Sequence, residues 1–177
     1  MHIGSVHGRF QIFHLEHLKY VREAYKRCDC LIIGITGIRF LLSPNNLAAS
    51  RMAEENNPFS YFERMAMIRA ALQADGLDLS RISFAPFPIE DPTKLEYFIP
   101  RSVHCFTTIR EEWNVTKIAI LKELGYAVTI LYTDLKKAVT GSKIRSLIKA
   151  GDKSWRRSVP EAVMSWIEEH QASSRIK

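Results

Sequence analysis

No stretch of the 177 residues is apolar for long enough to cross a bilayer as a helix: the longest apolar runs, Cys30–Ile35 and Ile118–Leu121, fall far short of the roughly 20 residues required. The opening residues lack the order of basic segment, apolar stretch and small-residue cleavage site that marks a secretory leader, so a cytoplasmic location is expected. Cysteine is scarce and odd in number, at three. Cys28 and Cys30 are separated by one residue where zinc and redox pairs have two, and no second pair completes a metal site, so buried free thiols are expected. What is present, 46% apolar and 25% charged residues, suffices for one sizeable core and one globular domain over residues 1–177. A formal charge of +6 points to an anionic partner without separating a nucleotide from a nucleic acid.

Strand-like and helical segments alternate along the chain. Ile3–Val6 reads as a short buried strand that runs into Gly8-Arg9-Phe10 and then into a helical pattern at Leu18, Val21, Tyr25 and Cys28. Leu31–Ile35 is a second strand, and Thr36 to Pro58 reads as a long loop, a length more often functional or mobile than decorative. Ser60 and Glu63 have capping-box spacing before a helix that ends at Asp75-Gly76. Strands at Ile82–Phe87, Val103–Thr107 and Ala127–Tyr132 follow, with a helix through Ile118, Leu121 and Leu124 closed by Gly125. Helices at Gly141–Ala150 and Pro160–His170 end the chain, the last with Val159, Val163, Trp166 and Ile167 on one side. This order predicts an α/β fold: a Rossmann-like parallel five-stranded sheet with helices on both faces and a helical C-terminus. Ligands of such sheets bind beyond the carboxyl ends of the strands, so the Gly8 turn, the Thr36 loop, Phe87–Pro100 and the segment before Thr140 are expected to share one rim.

Two segments on that rim carry chemistry. His14 and His17, three apart, lie on one face of a first helical turn, where unpaired N–H groups and the positive dipole end already favour an anion. With Arg9 they would make a phosphate site; a surface histidine pair and a metal pair are the alternatives that the four residues leave open. Thr140-Gly141-Ser142-Lys143-Ile144-Arg145 follows the same logic, with Thr140 as N-cap and two cations in the first turns, where they oppose the dipole unless an anion docks. A solvated basic helix end is the alternative there.

Gly8-Arg9-Phe10-Gln11-Ile12-Phe13-His14-Leu15-Glu16-His17 resembles the Gly-Arg-Phe-Gln-Pro-Phe-His-x-Gly-His signature of the nucleotidyltransferase superfamily, in particular archaeal-type nicotinamide mononucleotide adenylyltransferases. Asn57-Pro58-Phe59-Ser60-Tyr61-Phe62-Glu63-Arg64 is similar to that family's Asn-or-Asp-Pro-Phe-Thr-x-x-Glu-Arg segment, and Thr140–Arg145 to its Ser-Gly-Thr-x-Val-Arg element. Asp152 to Val163, with Trp155, looks like the family's ending; Pro92 to Asn114 looks different. The resemblance implies transfer of a nucleoside monophosphate from a nucleoside triphosphate to an anionic acceptor, with pyrophosphate released. It assigns His14, His17 and Arg145 to catalysis and Gly8, Arg9, Phe10, Thr140, Gly141, Ser142 and Ile144 to nucleotide binding. It implies no protein-held metal, Mg²⁺ arriving on the triphosphate, and assembly as a homo-oligomer. This chain departs from the signature at Ile12, for proline, and at Glu16, for the second glycine.

Pro86-Phe87-Pro88-Ile89 and Thr107–Asn114 look more like related cytidylyltransferases, including those that activate small phosphonates. The first specific expectation is adenylyl transfer to nicotinamide mononucleotide (NAD synthesis); the alternative is cytidylyl transfer to a phosphonate such as 2-hydroxyethylphosphonate or to a phosphate monoester. Glu16, Trp113 and Arg110 are the acceptor candidates, with Lys94 and Arg101 behind them. Glu16 also leaves room for a nucleotide-binding protein without turnover. A nucleic-acid-binding module, motivated by Lys19, Arg22, Lys26 and Arg27, would need a continuous basic stripe, whereas basic and acidic residues interleave here, so neither a nucleic-acid nor a membrane partner is expected.

Overall fold

The computed structural model describes residues 1–38, 56–135 and 139–176. Its elements run β1 (Ile3–Gly8), α1 (Leu15–Tyr25), β2 (Cys30–Ile35), α2 (Tyr61–Ala74), β3 (Ile82–Pro86), β4 (His104–Ile109), α3 (Glu112–Glu123), β5 (Val128–Thr133), α4 (Gly141–Lys149) and α5 (Glu161–Glu169). The strands form one sheet in the order β3-β2-β1-β4-β5, every pair parallel. Between β1 and β4 the direction of winding reverses, which is where open α/β sheets bind ligands. The expected Rossmann-like sheet of five strands is therefore found, and the order of its elements is the expected one.

Two apolar layers hold the helices to the sheet. Leu31, Ile33 and Ile35 of β2 and Val6 of β1 pack under α1, α2, α4 and α5, where Val21, Met67, Ile68, Leu72, Ile144 and Ile167 are buried. On the opposite face Cys105 of β4 packs with Leu121 of α3 and with Leu95 and Ile99 around a 3-10 turn at Pro92–Tyr97. A fully buried Leu or Ile contributes about 1.5–3 kcal/mol, so neither layer is dispensable. α2 begins with the expected reciprocal capping box, in which Glu63 N–H donates to Ser60 Oγ at 3.2 Å and Ser60 N–H donates to Glu63 Oε2 at 2.8 Å.

The boundaries differ from expectation in an informative way. β1 runs on through His7 and Gly8, and β4 through Thr108 and Ile109. Apolarity fades at those positions, but the ladder to β2 continues through His7↔Gly34 and Gly8↔Ile35, so the backbone stays extended while its side chains turn polar. α1 stops at Tyr25, leaving Cys28 buried beyond its end. Cys28 and Cys105 are buried as expected, while Cys30 is only half-buried at the sheet's lower rim. Of the predicted loop from Thr36 to Pro58, residues 39–55 lie outside the described residues.

Candidate active site

β1 and β4 pair only through Gly4↔His104 and Ser5↔Cys105, and beyond those two pairs they separate. Tyr20 of α1 bridges the gap: its hydroxyl accepts the His7 N–H at 3.2 Å and donates to the Phe106 carbonyl at 2.6 Å. The crevice that opens above is a cleft of about 420 Å³, walled by the turn from Gly8 to His17, by the β4–α3 junction and by the start of α4.

The Gly8–His17 turn is held from several sides. Phe10 has φ of 53° and is buried, and the side-chain amide of Gln11 pairs with Phe59 as a strand would, donating to its carbonyl at 2.8 Å and accepting its N–H at 3.0 Å. Arg64, buried at the start of α2, donates to the Arg9 carbonyl at 2.8 Å and the Thr36 carbonyl at 2.6 Å. Burial lowers its pKa to about 10, which leaves it charged at neutral pH. Ile12, where the signature has proline, is fully buried. The turn delivers His14 as the N-cap of α1 with His17 one turn on, their rings stacked at 3.6 Å and 17°. His14 N–H donates to His17 Nδ1 at 3.3 Å. The Ile12 carbonyl accepts from the His17 ring, a contact that favours its protonated form but is outweighed by desolvation.

Both imidazoles are neutral at physiological pH. Desolvation, with Arg110 adding, lowers His14 to about 3; desolvation, then His14 and Arg110, takes His17 well below its ordinary value. They offer hydrogen bonds rather than charge, and the cleft's cations are Arg9, Arg110, Lys117 and Arg145. Desolvation lowers His7 in the same way. Since all three protonate more readily in the unfolded chain, stability is at its plateau above about pH 6.5 and falls as pH drops towards 3. We expect the urea midpoint to fall steeply between pH 7 and pH 5, and a flat profile there would show that these rings are not desolvated.

α4 starts as the sequence predicts. Thr140 caps it, Oγ1 accepting the Lys143 N–H at 3.1 Å. Gly141 sits where a Cβ would come within 2.5 Å of the Gln11 carbonyl, so the two turns touch backbone to backbone. Arg145 is buried and lines the cleft, with its pKa lowered to about 10 by burial and by Arg9. Its guanidinium donates to the Gln11 carbonyl, to Asn56 Oδ1 at 3.1 Å and to Ser142 Oγ at 3.4 Å, so it pins α4 to the first turn as well as facing the cleft. The side chain of Ile144, expected to bind nucleotide, is buried in the core, while Arg145 beside it lines the cleft. Lys143 is exposed and lies outside the cleft wall.

On the third wall, Asn114 caps α3 by accepting the N–H groups of Arg110 at 2.9 Å and Glu111 at 3.1 Å. Arg110 lies between Glu16 and Asp134, 3.5 Å from each carboxylate. Glu16, at the signature's glycine position, thus turns towards Arg110 rather than across the start of α1. Trp113 lines the same wall. Lys94 and Arg101 do not reach the cleft; they pair with Asp91 at 2.9 Å and Glu96 at 2.8 Å. Replacing Glu16 by Gly removes one negative charge and leaves Arg110 with Asp134 alone, so we expect triphosphate affinity, read by calorimetry, to hold or tighten several-fold. A weakening would mean that the carboxylate itself contacts substrate. Sequence reasoning missed Gln11, Arg64, His7 and Lys117; a glutamine inside the first motif and an arginine inside the second were the available signals for two of them.

Among the described residues no group of three or more His, Cys, Asp or Glu could hold a metal ion, and no helix is long and apolar enough to cross a membrane. A family model described as cytidylyltransferase-like matches residues 6–149. A phosphonoformate cytidylyltransferase of Streptomyces viridochromogenes is 31% identical over 98% of this chain and 95% of its own length. A nicotinamide-nucleotide adenylyltransferase of Saccharolobus solfataricus is 32% identical over 98% and 94%. The fold is shared with a bifunctional NMN adenylyltransferase/ADP ribose pyrophosphatase from Francisella tularensis (TM-score 0.71, 19% identity), of which this chain, 99% covered, spans about half (52%).

Proposed function

The chain belongs to the cytidylyltransferase-like family, and from that premise we propose that it is a nucleotidyltransferase that moves a nucleoside monophosphate from a nucleoside triphosphate to a phosphate- or phosphonate-bearing acceptor, releasing pyrophosphate. The observation that carries the reading is the convergence of two helix starts, α1 with His14 and His17 and α4 with Thr140 to Arg145, on one cleft at the β1–β4 reversal. In this mechanism the triphosphate lies across the two helix starts. His14 and His17 donate to its phosphate oxygens. Arg9 and Arg145 offset its charge, and Thr140, Ser142 and the α4 N–H groups hold the leaving β- and γ-phosphates. Gly8, Phe10 and Gly141 let the nucleotide and the two turns approach closely. An acceptor oxygen attacks the α-phosphorus as the bond to the β-phosphate oxygen breaks, so the electron pair leaves with pyrophosphate and no enzyme-bound intermediate forms. Mg²⁺ fits as a passenger on the triphosphate, since Glu16 on the cleft wall is paired with Arg110; bound there, it would neutralise phosphate charge. The cytoplasm, with its pool of nucleoside triphosphates, is the proposed location, and a homo-oligomer the proposed assembly.

For the acceptor, adenylyl transfer to nicotinamide mononucleotide is the first reading, supported by the archaeal relatives matched along nearly their whole length and by Trp113, whose ring on the cleft wall suits a nicotinamide. Cytidylyl transfer to a small phosphonate is the second, supported by the Streptomyces relative and by Glu16, which with Arg110 occupies space that a large acceptor would use. Pyrophosphate release with Mg²⁺ separates them, crossing ATP and CTP with nicotinamide mononucleotide, 2-hydroxyethylphosphonate and phosphonoformate. Release only with ATP and the mononucleotide supports the first reading, and release only with CTP and a phosphonate the second. No triphosphate binding would sink the whole reading.

A further inference from the structure

His7, next to last in β1, lies on the α3 face of the sheet and is 3% exposed, yet it lines the cleft floor. Neither of its ring nitrogens has a hydrogen-bond partner. The surrounding polar groups do not supply one: Tyr20 is spent on the His7 N–H and the Phe106 carbonyl, and Ser5 Oγ donates to Cys105 Sγ at 3.4 Å. The ring is nevertheless held firmly, stacked on Phe87 at 4.2 Å and 13°, and Phe87 in turn lies on Gly34, where a Cβ would approach its ring to 2.6 Å. A buried polar group without a partner costs about 1–3 kcal/mol, and here the ring is fixed in place while that cost stands. Lys117 of α3, buried and on the same wall, lies close enough to act electrostatically on the ring, and with burial it keeps His7 neutral, with one donor and one acceptor nitrogen.

We propose that His7, with Lys117 beside it, is the contact that selects the acceptor, binding a planar carboxylate or carboxamide group at the end of the acceptor that does not react. The inference rests on the nucleotidyltransferase reading and adds to it the class of acceptor. A carboxamide meets one of the two ring nitrogens, its carbonyl accepting the ring N–H or its N–H donating to the bare nitrogen, whereas a carboxylate takes the ring N–H and the Lys117 ammonium. The reacting phosphate or phosphonate then sits one turn away, towards His14 and His17, because His7 leads directly into Gly8 and the signature turn. The α1–α4 side of the cleft would read the triphosphate and the β1–α3 floor the acceptor.

Two variants and one spectrum test this. His7→Leu replaces an unsatisfied ring by an apolar side chain, so the melting temperature should hold or rise and triphosphate affinity should stay within about twofold. The acceptor KM should rise at least tenfold, equivalent to about 1.4 kcal/mol. His7→Gln, which keeps a donor and an acceptor, should recover most of that loss. In protein with ¹⁵N-labelled histidine, saturated with a non-hydrolysable triphosphate, titration with phosphonoformate or nicotinamide mononucleotide should move the His7 ring resonances, and this readout needs no variant to fold. His7 resonances unmoved by both acceptors, or an unchanged acceptor KM in His7→Leu, overturn the proposal. So does a lower melting temperature with equal loss of triphosphate and acceptor binding, the pattern of a structural residue. If the wild-type protein binds no triphosphate, the nucleotidyltransferase reading falls and this inference with it; triphosphate binding with a silent His7 removes the inference alone.

Discussion

Replacing His17 by Ala is expected to lower kcat by about 10²–10³-fold, or about 2.7–4 kcal/mol of transition-state stabilisation, the usual loss when one preorganised donor is removed from a developing phosphate charge. The reasoning starts from protonation. His17 is held well below its ordinary pKa by desolvation first, then by His14 and Arg110, so it acts as a neutral donor. Such a donor strengthens as charge builds on the transferring group, whereas binding of the ground-state triphosphate also draws on Arg9, Arg145 and two helix starts. The loss should therefore fall mainly on kcat, with the triphosphate KM changed far less. The variant also loses the His14 stack and the hydrogen bond from the His14 N–H, a capping contact of about 1 kcal/mol, but the fold should survive, because Phe10 and Phe13 are buried by other contacts. Steady-state pyrophosphate release alongside circular dichroism checks this, and turnover within a few-fold of wild type would remove His17 from the reaction.

The second large effect is expected at a residue without a side chain. A Cβ at Gly141 would stand 2.5 Å from the Gln11 carbonyl oxygen, a backbone atom fixed by the Gln11–Phe59 pairing next to it. Gly141→Ala must therefore push α4 away from the first turn. Arg145, which donates to that same carbonyl, would be displaced with it. Overpacking of this kind costs about 1–3 kcal/mol, and the triphosphate would lose the coincidence of the two helix starts as well. We expect a lower melting temperature together with at least a tenfold weaker triphosphate Kd. Wild-type values for both would mean that α4 does not pack on the turn in solution.

Charge within the cleft follows a division of labour that neither prediction alone displays. Neutral histidines sit beside buried arginines because desolvation and neighbouring cations act in the same direction on an imidazole. Burial also lowers Arg64 and Arg145, but only to about 10, so they keep their charge. Arg64 spends it on backbone carbonyls of the turn, and Arg145 divides it between the turn and the cleft.

Much of the fold was legible in the residues. Apolar spacing, the Ser60–Glu63 capping box and the Gly76 and Gly125 stops are local signals, and local backbone physics produced the elements they announce. The alternation of strand and helix was enough for a parallel sheet with its ligand rim, and the pairing of a histidine helix start with a basic helix start was enough for the site's two halves. Sequence could not say which side of each half faces the cleft. Ile144 and Arg145 are neighbours on one turn, and only the packing of α4 sends one into the core and the other to the site. Glu16 reads as a departure from the signature and an acceptor candidate, and only tertiary structure brings Arg110, 94 residues away in the chain, to within 3.5 Å of it. His7 reads as the fading end of a strand, and becomes a candidate only when β1 and β4 part above Ser5 and leave its ring facing a cleft with no partner. Periodicity, caps and turns depend on neighbours within a few residues, so the chain itself determines them; burial, pKa and the sharing of a wall depend on residues far apart in sequence, and only the folded structure decides those.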